Sequence, residues 1–127
     1  MNPEEQALQQ RTAALDARDA RAFAALFEPH ADFGDYGGLL LQGRAAIEQH
    51  YAEHVFPQLP PTHRHRTRIR YTRLVTPDVI AGDAEVDIYT PDDGVLYVVP
   101  AVGVFVRREG QWYFSTVRLL PPCGCAA

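Results

Sequence analysis

The chain has 127 residues, 46% of them hydrophobic, with twelve basic against sixteen acidic residues and a formal charge of −4. That is enough apolar material for one core in a single domain, and it excludes a disordered chain. The acidic balance speaks against a phosphate-backbone binder, whose footprint is basic, so no nucleic-acid partner is expected.

The N-terminal stretch MNPEEQALQQ has neither a basic n-region nor an apolar h-region, so no signal peptide is expected. No run is long and apolar enough for a membrane span, and no membrane partner is expected. Residues 4 to 18 have a helical pattern, with Leu8, Ala14 and Leu15 on one side. Asp19 is placed to cap a second helix, ARAFAALFE, with Phe23, Leu26 and Phe27 on one face and Pro29 ending it. ADFGDYGGLLLQG reads as two short strands around a glycine turn, and RAAIEQHYAEHVF as a third helix stopped near Pro57.

From His63 the hydrophobic period changes to two. Four strands are predicted over about 63–75, 79–90, 95–108 and 111–120, joined by the turns TPD, TPDDG and REGQ. Three helices followed by an antiparallel meander predict an α+β fold, with the helices on one face of a curved sheet. The strand LYVVPAVGVFV is apolar at both parities, which predicts that both of its faces are covered: one by the helices and a cavity, the other by a second copy of the chain. The domain is expected over 1–120, with 121–127 as a loose tail. That tail holds both cysteines, in CGC, a spacing poor for a disulfide, and a reducing, cytoplasmic setting is expected.

The stretch THRHRTRIRYTR carries five of the twelve arginines. As a strand it puts Arg64, Arg66, Arg68 and Arg70 on one face and His63, His65, Thr67, Ile69 and Tyr71 on the other. The next strand offers Asp83, Glu85 and Asp87 on one face. A two-residue loop, with Thr76 facing Val79, sets Arg70 opposite Glu85 and Arg68 opposite Asp87. The arginine row is then a neutralised outer ladder, and the histidine face looks inward.

Three features carry candidate chemistry. His50 and His54 stand four apart on one helix, a spacing that with His63 or His65 suits a metal; no HExxH motif accompanies it, the alternative is a solvated helix edge, and no metal is expected. Asp35, in FGDYGG, is a candidate general base in a partly apolar cavity; its alternative is a turn-capping aspartate. Aromatic residues exceed what two thin layers need, so a subset is expected to line a pocket with Tyr and His as its polar groups. Phe23, Phe27, Tyr51, His54, His65, Tyr71, Trp112 and Phe114 are the candidates. No phosphate loop, GxSxG or cofactor motif is present, and no cofactor is expected.

The segment ALDARDARAFAALFEPHADFGDYGGLLLQGRAAIEQHYAEHV resembles the N-terminal half of the nuclear transport factor 2-like, or cone-fold, superfamily. Its pattern is a helix, D-x-x-x-F-x-x-L-F, a short strand and turn, then G-R-x-x-I opening a helix. LVTPDVIAGDAEV and VGVFVRREGQWYF resemble the superfamily's strand hairpins. With GRAAI they look closest to the SnoaL-like SgcJ/EcaC type, although STVRLLPP replaces that type's usual Asn-Thr ending. The resemblance covers about residues 4 to 120. It implies a conical α+β barrel, a long helix plugging the sheet, an apolar pocket at the wide end and dimerisation through the outer sheet face.

By motif, Asp35 falls at the base position of ketosteroid isomerases within that superfamily, and Tyr51 at a pocket-facing position. The isomerase tyrosine falls near Arg11 and its protonated aspartate near Val102, so the oxyanion-stabilising pair is missing and that mechanism is not expected. What the resemblance implies is a binder of a small, largely apolar molecule. Its activity would be cofactor-free acid–base chemistry of the isomerase, cyclase, hydratase or hydrolase kind; the alternative is a non-catalytic binding module.

Overall fold

The computed structural model describes residues 2–124. Helix α1 spans Pro3–Ala17. The Asn2 side chain caps it by accepting from the Glu5 N–H at 2.8 Å, with Pro3 in the first turn. It ends at Arg18, in the left-handed region at φ 54°. Its buried stripe is Ala7, Arg11, Ala14 and Leu15, three small or apolar residues with one arginine set among them. Asp19 caps α2 (Ala20–Ala24) by accepting from the Ala22 N–H at 3.0 Å, as its sequence position predicts.

Helix α2 stops five residues short of Pro29. Strand β1 runs Phe27–Gly34 and contains that proline. Its parallel pairing with β6 is interrupted between Phe27 and Asp32, where Pro29 has no N–H to give the ladder. Strand β2 (Leu40–Gln42) returns beside β1, and α3 follows over Arg44–His50. The predicted third helix continues to Pro57, though not as an α-helix. Tyr51–Val55 form a π-helical turn and Phe56–Gln58 a 3₁₀ turn.

The remaining strands are β3 (Arg64–Thr76), β4 (Val79–Thr90), β5 (Gly94–Arg108) and β6 (Gln111–Leu119). They pair antiparallel in sequence, and the path across the sheet is β2-β1-β6-β5-β4-β3. A two-residue strand, β7 (Cys123–Gly124), pairs with Tyr97 and Val98 of β5. Part of the expected loose tail is thus paired with the sheet; the rest, residues 125–127, lies outside the described residues. The sheet is mixed, α+β as expected, but it is open: β2 and β3 are its two ends and do not pair, so a closed barrel is not what the strands build.

Helices α1 to α3 cover one face. An aromatic cluster lies beneath them: Phe23, Phe27 and Phe33 are fully buried, with Ile47 and Tyr51 beside them. The Phe23 ring sits 5.3 Å from Phe27 and 4.3 Å from Tyr51. Such pairs contribute beyond their buried area.

On the other face the arginine ladder forms, with a register different from the expected one. Thr76 does face Val79, but β3 bulges twice, at Val75 and Arg70. The bulges move Arg68 opposite Glu85 and Arg66 opposite Asp87. Arg68 reaches both Asp87 oxygens, at 2.6 and 2.9 Å, and Arg66 adds a bond at 3.0 Å. Asp87 is 2% exposed, and the Arg68 bonds chiefly hold its carboxyl below the usual aspartate range. Its stability contribution is therefore present above 3.8 and lost as pH falls through the lower folded value. Both arginines are about half exposed and can turn to water, so Asp87→Ala is expected to cost only about 1–2 kcal/mol by urea denaturation at neutral pH.

Candidate functional site

On the helix-covered face, a cavity of about 280 Å³ opens between α1, the α3–π–3₁₀ segment and the inner side of the sheet. Leu15, Phe33, Val86, Ile88, Val99 and Leu119 give it apolar walls. Its polar lining comes from Arg11, Asp35, Tyr36, His50, Tyr51, His65 and Tyr97.

His65 enters from β3, and its alternation puts it on the inner face as expected. It is 8% exposed. Its Nδ1 lies 2.8 Å from Oδ1 of Asp16, near the end of α1, and the same oxygen accepts the His65 backbone N–H at 3.0 Å. An ionised carboxylate can only accept, so the ring proton belongs on Nδ1 and Nε2 keeps its lone pair. Burial is the largest influence on the imidazole and lowers its pKa below 6.5; the Asp16 hydrogen bond opposes this less strongly. The ring is neutral at physiological pH, oriented by a carboxylate, and set in a mostly apolar wall.

Two anchors hold this end of the cavity. Arg18 donates to the Pro60 carbonyl at 2.6 Å and to the His63 carbonyl at 3.2 Å, tying the end of α1 to the chain entering β3. Thr12 and Thr67 make a hydroxyl contact at 3.4 Å.

Tyr51 lines the cavity from the π-turn. Burial pushes its phenol up to about 12, so it stays protonated and can donate. Arg11 lines the cavity from α1 at 7% exposure. Its guanidinium lies 5.7 Å from the Phe23 ring centre. Asp35 is also on the wall, and its Oδ1 accepts the Gly37 and Leu39 N–H groups, each at 2.9 Å. That is the turn-capping geometry, and it tightens a loop in which Gly38 takes φ +93°.

Of the sequence candidates, Asp35, Tyr51 and His65 therefore meet at one cavity. The others fall elsewhere. Phe23 and Phe27 are fully buried core beneath it. Trp112 packs with Phe105, and Phe114 joins that cluster to the main core, its ring 5.4 Å from Phe27, and lines a smaller apolar gap of about 80 Å³ between α1 and the sheet. Tyr71 is 59% exposed: the bulge at Arg70 reverses the alternation, so Tyr71 pairs with Asp83 and leaves the His65 face. His54 is exposed and away from the cavity. The π-turn carries Tyr51 and Val55 to the wall, and His50 is the helix histidine that reaches it.

His50 and His54 lie with ring centres 5.4 Å apart. Among the described residues, no group of three His, Cys, Asp or Glu side chains could hold a metal. No described helix is long and apolar enough to cross a membrane.

Asp16 did not stand out in the sequence, because its role depends on a partner 49 residues away. Arg11 carried a readable signal: it falls on the small-residue stripe of α1, between Ala7 and Ala14, where a charge is out of place.

A family model described as a SnoaL-like domain matches residues 8–114. No curated protein matches the chain. Among solved structures, a hexachlorocyclohexane dehydrochlorinase from Novosphingobium barchaimii superposes with a TM-score of 0.79 at 17% identity, covering 98% of this chain and 89% of that one. A domain of unknown function with a cystatin-like fold from Nostoc punctiforme gives 0.80 at 18%, covering 93% and 76%. A putative calcium/calmodulin-dependent protein kinase type II association domain from Thiobacillus denitrificans gives 0.80 at 18%, covering 92% and 93%. At such identities the likeness establishes the fold.

Proposed function

The chain belongs to the SnoaL-like domain family, and from that premise we propose that it is a cofactor-free acid–base enzyme acting on a small, largely apolar molecule. His65 is the general base. The observation that carries this reading is the 2.8 Å Asp16–His65 pair at the wall of an apolar cavity. Asp16 fixes the tautomer, Nε2 takes a proton from a carbon of the bound molecule, and the resulting imidazolium is stabilised by Asp16. Tyr51 and Arg11 supply the donors for charge that develops on the substrate.

Proton abstraction of this kind begins isomerisations and eliminations. One structural neighbour is named a dehydrochlorinase, and removal of HCl belongs to that class. The test is deuterium incorporation from D₂O into a panel of small carbon acids, read by NMR. Exchange dependent on His65 supports the reading; no exchange above buffer with any member favours a binding module instead.

A second base is favoured by one observation: Asp35 stands on the same wall. If Asp35 is the base, Asp35→Asn abolishes exchange and His65→Gln leaves most of it. Our assignment expects the reverse.

We further propose that the enzyme is a cytoplasmic homodimer, joined through the sheet face away from the cavity. The apolar strip of β5 supports this, with Val102 38% exposed in a strand otherwise rich in valine. Val102→Glu is expected to shift the protein to monomer in sedimentation velocity. An unchanged sedimentation coefficient would contradict that face.

A further inference from the structure

Resting on the reading of this cavity as the ligand site, we propose that its substrate is a small carboxylic acid. The carboxylate sits against the Arg11 guanidinium and the apolar body fills the remaining space.

Arg11 is costly where it stands. It is set in the buried stripe of α1, and its Nη1 is sealed from solvent without an acceptor. Among the described residues its side chain makes no hydrogen bond and no ion pair; it stands over the face of Phe23, in the field of the Tyr51 phenol, and near enough to His65 to help lower the imidazole pKa. The nearby acids are committed elsewhere: Asp16 to the His65 ring and backbone, and Asp35 through Oδ1 to its own loop. Burial lowers the guanidinium pKa, but arginine stays charged at any physiological pH.

A buried cation without a counter-charge is a standing penalty on the fold. Leu or Met at this point of α1 would pack without that cost, so a structural role is a poor account of it. The side chain that carries the penalty also borders the cavity. A group that arrives with the opposite charge, and with a planar pair of acceptors matching the guanidinium fork, offsets the penalty on binding.

The chemistry of the rest of the cavity narrows the ligand. Nine apolar side chains form the walls, so the body of the acid is hydrocarbon-like or aromatic. The volume of about 280 Å³ lies at the foot of the usual range for ligand pockets, about 300–1,000 Å³, so the acid is small. Asp35 orients it, because a carboxylate is repelled from the Asp35 wall and drawn to Arg11. The Tyr51 hydroxyl remains a donor. A neutral ligand of the same shape would bury Arg11 further and leave it unpaired, so the site discriminates against the amide of its own substrate.

The test uses trans-cinnamate and its neutral counterpart cinnamamide as probes, with binding measured by NMR titration of the whole chain. Wild type is expected to bind the acid about tenfold or more tightly than the amide. In Arg11→Met the ratio falls to about one, while in Arg11→Lys part of it survives. Arg11→Met is also expected to melt at a higher temperature than wild type, and cinnamate to raise the melting temperature of wild type alone. Equal affinity for acid and amide in wild type, an acid preference that survives Arg11→Met, or binding of neither probe overturns the proposal. His65→Gln separates the two claims. If it leaves the acid preference intact and also leaves deuterium exchange intact, the base assignment fails and the Arg11 site stands. If exchange depends on His65 but no acid preference exists, the base stands and the Arg11 site fails.

Discussion

His65→Gln is expected to slow deuterium exchange into a bound carbon acid by about 100- to 10,000-fold, the range that a positioned general base supplies. Glutamine keeps much of the volume and polarity of the imidazole, so the cavity survives while the base is gone. Asp16→Ala is expected to give part of the same loss, because it removes both the acceptor that holds the ring proton on Nδ1 and the charge that stabilises the imidazolium. In wild type, exchange rises with pH along a limb whose midpoint lies below 6.5, because burial depresses the imidazole, and it is flat at neutral pH. The same depression links to stability. The folded value lies below the unfolded one, so the contribution of His65 is present in full above 6.5 and is lost as pH falls through the folded value. His65→Gln removes that part of the acid sensitivity, which urea titrations across this window can measure.

Phe23→Ala is expected to cost about 3–5 kcal/mol of folding stability, the penalty for removing a large side chain from a closed core. Phe23 is fully buried and meets four rings or charges: Phe27, Phe33 at 6.3 Å, Tyr51, and the Arg11 guanidinium. Against a typical domain stability of about 5–15 kcal/mol, this is enough to lower the urea midpoint substantially without changing the slope. It also undercuts the site, because Tyr51 and Arg11 both rest on that ring. Phe23→Leu refills most of the space and is expected to recover much of the stability. A loss below about 1 kcal/mol for Phe23→Ala would mean that α2 repacks freely and that the floor of the cavity is not fixed.

The long strands were legible because period two persists for a dozen residues and each is closed by a Pro or Gly turn. β4 runs 79–90 as predicted, β5 and β6 differ by one residue at one end, and β3 by one residue at each end. Bulges were the blind spot. The bulges at Arg70 and Val75 leave no composition signal, yet they move each arginine by two positions against its acid and turn Tyr71 outward. α2 was overextended because LFE is as acceptable in a helix as in a strand; pairing of Phe27 with Phe114 decides it. The π-turn at Tyr51 likewise follows from packing and not from the letters, and it explains why His50 reaches the cavity and His54 does not. His65 was readable from its parity, whereas Asp16 was not, since the pair exists only once α1 lies along β3.

The central claim is that Asp16 holds His65 as a neutral base with Nε2 free at the cavity. It is tested most directly by ¹H–¹⁵N NMR of the His65 ring through an acid titration. The expected spectrum at neutral pH is that of the Nδ1–H tautomer, with Nε2 unprotonated, and titration is centred below 6.5. In Asp16→Ala the tautomer preference is expected to disappear. A ring protonated at neutral pH, or a wild-type Nε2–H tautomer indifferent to Asp16, would contradict the account.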